Sequence, residues 1–173
     1  MHLGKGNTMK HILTGLTLLA ATPAAAQDIL FSIDHTNACL QEATAWHETR
    51  DCIGASMVQC IEATPLGAST LGMNECTARE LEYWDDWLNE AYGILRTQEK
   101  AEDVESGALP GYTSQADTLL EMQRAWISFR DAKCTYERAQ WTGGTGGGPA
   151  ELSCLLSETA EQTLYLRAMA QTY

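Results

Sequence analysis

The residues 114–136, SQADTLLEMQRAWISFRDAKCTY, decide the fold class. Ser114 and Asp117 make a capping box, a pattern typical of a helix start. Apolar side chains then follow at the three- and four-residue spacing of one helix face, at Leu119, Met122, Trp126, Phe129 and Tyr136. This stretch predicts one long amphipathic helix.

Two further stretches have the same periodicity. A helix that begins near an Asn74 cap carries the stripe Leu81, Trp84, Leu88, Tyr92 and Leu95. Another restarts at Gly148-Pro149, with proline at its favoured first position, and carries Leu152, Leu155, Leu156, Leu166 and Met169. No run alternates convincingly at period two, so we predict an all-α fold in which three long helices form a small bundle.

The segment before the bundle predicts a short helical cap. One helix is expected from the Thr36-Asn37 cap to about Thr49, and a second from Asp51 to Ala63, before Pro65. Residues 64–72 are expected to form a loop.

The first 26 residues are typical of a secretory signal peptide. Lys10 precedes an apolar run and the small-residue site Ala24-Ala25-Ala26, so we expect cleavage after Ala26 and a periplasmic or secreted protein. The run has about ten residues, half of what a membrane-spanning helix needs. Met1 and Met9 are both candidate starts. Residues 27–72 then form a cysteine-rich extension that shares one compact domain with residues 73–173.

Six cysteines remain after cleavage, which for an exported chain predicts three disulfides. Fifteen pairings are possible. Spacing favours Cys134 with Cys154, since that bridge closes a hairpin of about twenty residues and is worth about 3 kcal/mol. Cys60 with Cys76 and Cys39 with Cys52 are then the preferred remaining pairs. With no C-x-x-C or H-x-x-x-H spacing, we predict no metal and no cofactor.

The charge of the chain is strongly acidic. The leader holds two of the 11 basic residues and none of the 23 acidic ones, so the net charge after cleavage is about −14. This balance disfavours nucleic acid and anionic lipid and favours a cationic partner, although solubility alone also explains it. The candidate steering acids lie on the helix after Asn74: Glu80, Glu82, Asp86 and Glu90.

No catalytic residue is predicted. His35 and His47 lie in no motif, there is no G-x-S-x-G turn, and the helix acids are expected to form a solvated face. The glycine run at 143–148 lacks the Lys-Ser/Thr of a P-loop. It is either a flexible connector or a protruding loop that enters a partner's cleft through Gly143, Gly144, Gly146 and Gly147.

The charged residues of QRAWISFRDAKC admit a structural interpretation. An internal salt bridge from Arg124 or Arg130 to an acid on the helix of residues 75–90 would fix how the two long helices dock. Such a bridge is the simplest role for these arginines.

The combined pattern resembles a known family. Cys76 to Glu80, Leu88-Asn89, Tyr92, QRAWISFRDAKC, a glycine-rich loop and Cys154 with Thr159 are similar to the lysozyme-inhibitor LprI-like N-terminal domain family, over roughly residues 60–170. Its motif corresponds here to Gln123, Arg124, Trp126, Arg130 and Asp131. The resemblance implies an exported helical domain with the Cys134–Cys154 bridge and, for some members, lysozyme inhibition. The extension with Cys39 and Cys52 and the serine-free loop GGTGGGP depart from the family pattern.

These observations predict a non-enzymatic periplasmic protein that binds a cationic partner such as lysozyme. The alternative is a structural or interaction module of the cell envelope that inhibits nothing. We expect no membrane association after cleavage, and nothing in the sequence indicates an oligomeric state.

Overall fold

The computed structural model describes residue 1, residues 28–107 and residues 109–170 of the chain. Apart from Met1, the predicted leader lies outside the described residues, as do its cleavage site and Met9. In the described part the chain forms helices and no strand, which confirms the all-α class. The helices are α1 (Asp34–Glu42), α2 (Trp46–Asp51), α3 (Ala55–Ala63), α4 (Thr70–Ser106), α5 (Gln115–Ala139) and α6 (Gly147–Ala170).

The three long helices α4, α5 and α6 form the predicted bundle. Thr163 Oγ1 donates to the Trp84 carbonyl at 3.1 Å, and Gln98 Nε2 donates to the Ala170 carbonyl at 3.2 Å. Along this contact the residue numbers of α4 and α6 increase in the same direction, so the two helices run parallel. The intervening α5 runs antiparallel to them.

Two clusters of buried side chains fill the bundle. One lies among all three long helices, and the other lies where α4 and α6 meet the N-terminal helices. The first contains Leu88, Ala91, Leu95, Leu119 and Leu166, and the second Trp84, Leu156, Ala160 and Leu164.

The helix α4 begins earlier than the predicted Asn74 cap. Ser69 is its N-cap residue, and the Ser69 hydroxyl accepts a hydrogen bond from the backbone N–H of Gly72 at 3.1 Å. A serine hydroxyl at this position satisfies an N–H that has no partner inside the helix. The predicted loop at 64–72 therefore ends at Ser69.

The N-terminal segment forms three short helices where two were predicted. The expected helix of residues 36–49 is broken after α1, where the Glu48 carboxylate accepts hydrogen bonds from the backbone N–H groups of Thr44 and Ala45 at 2.6 and 2.9 Å. The expected helix from Asp51 starts only at α3, because Gly54 takes a left-handed φ of 90°. It ends at Ala63, before Pro65, as predicted.

All three preferred disulfides are present. They link α1 to the end of α2, α3 to α4, and α5 to α6, through Cys39–Cys52, Cys60–Cys76 and Cys134–Cys154. Each bridge joins residues no more than 20 positions apart. The covalent links therefore tie each helix to a neighbour along the chain.

The contact between the N-terminal helices and the bundle is centred on a buried carboxylate. Glu80 of α4 is 0 % exposed. Its oxygens accept from the Thr36 hydroxyl (2.9 Å), the N–H groups of Gly54 (2.9 Å) and Met57 (2.6 Å), and the Trp84 indole N–H (3.1 Å). Two of these donors are N–H groups at the start of α3, so Glu80 caps that helix from another element.

The turn between α4 and α5 has a similar device. The Asp103 carboxylate accepts from the Tyr112 and Ser114 hydroxyls at 2.6 and 2.7 Å. It also accepts from the N–H groups of Gln115 and Ala116 at 2.7 and 3.2 Å. These bonds, that of Tyr112 foremost, lower the pKa of Asp103 to about 2.

The predicted apolar stripe of α5 is buried only along its first half. Leu119 is buried, but Phe129 and Tyr136 are 59 % and 64 % exposed. The prediction is wrong for these two because the second half of α5 is bridged to α6 at Cys134, and Phe129 and Tyr136 lie on the opposite side of the helix. Met169, near the end of the α6 stripe, is also exposed.

Candidate partner-binding surface

The QRAWISFRDAKC motif lies on α5, where its residues divide between the core and the surface. Gln123 is buried, and its Oε1 accepts a hydrogen bond from Gln162 Nε2 of α6 at 3.0 Å. Trp126 packs against the first core cluster. Arg124 is exposed. Gln123 and Trp126 therefore help to position the helices, whereas Arg124 faces the surface.

Arg130 is held in place by three neighbours. Its Nε and Nη2 donate to Asp131 Oδ1 at 3.0 and 2.9 Å, and its Nη1 lies 3.4 Å from the Thr159 hydroxyl of α6. The guanidinium carbon lies 5.0 Å from the centroid of the Trp126 ring, within cation–π range. Thr159 thus adds a further contact between this motif and α6, beside those made by Gln123 and Cys134.

The predicted salt bridge to α4 is wrong. Among the described residues, no ion pair joins Arg124 or Arg130 to α4. Arg130 instead forms its ion pair with Asp131, the next residue on the same helix. Apolar packing around Leu88, Leu119 and Trp126 holds α4 against α5 instead.

The family pattern has one block on α4, around Leu88, Asn89 and Tyr92, and another on α5, the QRAWISFRDAKC motif. The two blocks meet at one groove of about 280 Å³. Both helices contribute polar and aromatic side chains to it. The motif residues that line it are Leu88, Asn89, Tyr92, Gln123, Arg124, Trp126 and Arg130. Residues about 40 positions apart in sequence are therefore neighbours.

The turn between α5 and α6, residues 140–146, begins and ends earlier than the predicted glycine stretch of residues 143–148. Its backbone is hydrogen-bonded, with the Gly144 N–H donating to the Trp141 carbonyl at 2.7 Å. Gly143 has a φ of 85°, which favours glycine. The Trp141 ring lies against Gly146, where an added Cβ would come within 2.1 Å of it.

Two of the predicted loop glycines belong to α6. Gly147 is the first residue of that helix and is buried, so it has no surface to offer a partner. The helix starts before Gly148-Pro149, which makes proline the third helical residue. A proline in the first turn loses no helical hydrogen bond, because the first N–H groups have no intrahelical partner.

Ion pairs and a disulfide brace the helices on both sides of this turn. Cys134–Cys154 joins them, Lys133 Nζ lies 2.5 Å from Glu158 Oε1, and Arg138 Nη1 lies 2.6 Å from Glu151 Oε2. Each pair links α5 to α6. The tip, defined as residues 141–145, is exposed and rests on a braced base.

The acids of α4 do not all face the solvent. Glu82, Asp86 and Glu90 are exposed and follow one another at four-residue spacing, so they form a stripe about 12 Å long. Glu80 belongs to the buried network, and its predicted steering role is wrong. It lies four residues before the buried Trp84, on the same face of the helix.

The amino-acid sequence that forms these helices and turns matches a known protein family. The family is "Lysozyme inhibitor LprI", and it matches residues 60–166. The chain belongs to this family. The LprI match includes the motif, the tip and the acid stripe, and it starts at Cys60 of the α3–α4 disulfide.

Two uncharacterised bacterial proteins are similar to this chain over much of their length. An uncharacterised 17.7 kDa protein in the puhA 5′ region of Rhodobacter capsulatus is 28% identical over 162 residues, which cover 90% of this chain and 94% of the relative. An uncharacterised protein of Rhizobium meliloti (strain 1021) is 27% identical over 105 residues, covering 60% of this chain and 76% of that protein. No solved structure matches significantly.

Trp141 is a surface residue that the sequence interpretation missed. Its side chain is 51 % exposed at the tip. A tryptophan two residues before a glycine run was the available signal, since glycines leave room for a ring to lie on the backbone. The prediction named only the glycines.

The remaining chemical features are few. His35 and His47 are exposed on α1 and α2. Within residues 28–107 and 109–170, no group of three or more His, Cys, Asp or Glu residues is placed to hold a metal ion. No helix in that part of the chain is long and apolar enough to span a bilayer.

Proposed function

We propose that this LprI-family protein is exported to the periplasm, where it binds lysozyme or a similarly cationic protein and inhibits it without catalysing a reaction. The family match over residues 60–166 carries the proposal. Three disulfides support it, because disulfides persist in oxidising compartments such as the periplasm.

We assign insertion into the partner's cleft to the tip. A braced element loses little conformational entropy on binding, which favours affinity. Its exposed residues are one aromatic side chain, Trp141, and small neighbours at Thr142, Gly143, Gly144 and Thr145. Glycoside hydrolases such as lysozyme act through a pair of carboxyl groups that flank the scissile bond. A narrow tip that fills this cleft would exclude the sugar chain.

We assign steering to the acid stripe of Glu82, Asp86 and Glu90. Exposed charges outside the contact centre change the association rate and its salt dependence more than the dissociation rate. The net charge of about −14 after cleavage adds a long-range attraction to any cationic protein.

The direct experiment is a cell-wall lysis assay. Residues 27–173, purified with their disulfides formed, are titrated against several lysozyme types. We expect inhibition of at least one type at micromolar protein. If none is inhibited, the proposal fails. Recovery of one stoichiometric non-lysozyme partner from periplasmic extract would then favour the alternative, an interaction module of the envelope.

Matched variants separate the two assigned roles. Neutralising the stripe (Glu82→Gln, Asp86→Asn, Glu90→Gln) should slow association severalfold at low salt, with rates converging at high salt. The control neutralises three exposed acids elsewhere, Glu62, Glu105 and Glu121, for the same change in net charge. If the control slows association equally, only net charge matters and the stripe has no special role.

A further inference from the structure

A second groove, of about 350 Å³, lies where the N-terminal segment meets the bundle. Its walls are mainly apolar, and Arg167 is the one charged residue among those that line it. The segment 43–49 forms one wall and α4 and α6 form the other. All of the segment 43–49 precedes the family match, so this wall of the groove comes from the extension of this chain.

Arg167 lies over an aromatic ring. Its guanidinium carbon is 3.9 Å from the centroid of the Trp87 ring. In the part of the chain that the structure describes, Arg167 takes part in no ion pair. Cation–π attraction holds the guanidinium over the ring, and a guanidinium so held can use its N–H groups to bind a planar anion.

The opposite wall carries an exposed tryptophan on a braced segment. Trp46 is 49 % exposed. The segment that holds it is closed by the Cys39–Cys52 disulfide, and Glu48 fixes its backbone through hydrogen bonds to Thr44 and Ala45. The wall is therefore preformed, which lowers the entropic cost of binding.

We propose that this groove binds a carboxylate on a short apolar body. The carboxylate pairs with Arg167, because the lining offers one positive charge and no negative one. The apolar body lies against Trp46 and Leu40. The volume is at the lower end of ligand pockets, which favours a small ligand. Two sources share this chemistry, a free carboxylic acid and the carboxyl terminus of a peptide.

Calorimetric titration of the full chain with matched probes tests the proposal. Hexanoate is compared with hexanamide, and N-acetyl-leucine with N-acetyl-leucinamide. We expect at least one carboxylate to bind about tenfold more tightly than its amide, as for a charge-assisted hydrogen bond. The pair that shows this preference identifies the source. Equal binding of acid and amide in both pairs, or no binding of either acid at millimolar concentration, overturns the proposal.

Variants locate the site. Arg167→Gln should abolish the preference for carboxylate over amide. Trp46→Ala changes an exposed position where the fold is not at risk. It should weaken the binding of both the acid and the amide in the probe pair that binds. The control Arg79→Gln removes an exposed arginine that does not line the groove, and it should change neither the preference nor the affinity. An acid-to-amide preference that survives Arg167→Gln refutes the assignment, and so does undiminished binding by Trp46→Ala.

Discussion

Replacement of Glu80 tests whether one buried carboxylate joins the N-terminal helices to the bundle. Its two oxygens accept four hydrogen bonds, and its side chain has no contact with solvent. Glu80→Ala leaves four donors without their acceptor. Each buried, unsatisfied donor costs about 1–3 kcal/mol, and water entering the vacated space recovers part of this. We expect a loss of about 4 kcal/mol in the free energy of unfolding.

Glu80→Gln refines the test, because it preserves the volume. One oxygen of Glu80 takes the bonds from Thr36, Gly54 and Trp84, and the other takes the bond from Met57. An amide keeps the first oxygen but places a donor opposite the Met57 N–H. One bond is lost and two donors face each other, so we expect a loss of about 1–3 kcal/mol.

Urea denaturation followed by far-UV circular dichroism measures both variants. The control is Glu82→Gln, an exposed neighbour for which a change within about 0.5 kcal/mol is expected. The order of stability should be control, Glu80→Gln, Glu80→Ala. A Glu80→Ala variant within about 1 kcal/mol of the unmodified protein would refute the reasoning, as would a Gln variant no more stable than the Ala variant.

Three further predictions concern the turns and the tip. Asp103→Asn should lower the melting temperature at pH 5, and the melting temperatures of the two proteins should converge near pH 2. The pKa of Asp103 is lowered to about 2 in the folded protein. Its contribution to the stability is therefore present above its unfolded pKa and is lost as the pH falls through 2. An unchanged gap between pH 5 and pH 2 would contradict this. Replacing Cys134 and Cys154 together by alanine should cost about 3 kcal/mol in oxidised protein, and an unchanged melting temperature would refute the staple. Gly146→Val should displace the Trp141 ring, shift tryptophan emission and cost about 1–3 kcal/mol. The adjacent Thr145→Ala is its control, and equal spectra for the two would contradict the packing.

Periodicity predicted the helical parts of the molecule well. The stripe with Leu88 and Leu95 is buried as expected, and the loop-closure argument for Cys134–Cys154 is confirmed, as are the two pairs that were preferred for the remaining cysteines. Both arguments are local, because they depend on residue spacing within one helix or one hairpin. Where a structure is set by local spacing, sequence alone is sufficient.

The errors arise where a distant element changes the environment of a residue. Phe129 and Tyr136 continue an apolar stripe, but α6 is bridged to the opposite side of that helix. In the sequence Glu80 resembles the surface acids near it, but in the fold it accepts hydrogen bonds from N–H groups at the start of α3. Spacing did contain a signal, since Glu80 lies on the face of Cys76 and Trp84, yet charge outweighed position in the prediction.

Glu80 lies inside the family match, but most of the groups that donate hydrogen bonds to it lie before that match. The family match begins at Cys60, whereas three of the four donors to Glu80 come from Thr36, Gly54 and Met57. A buried carboxylate without donors is costly, so a bundle that keeps Glu80 needs the extension to satisfy it. The extension is therefore part of the stability of the bundle. The same segment forms a wall of the groove around Arg167. Stability and the proposed carboxylate site thus depend on one contact between the extension and the bundle.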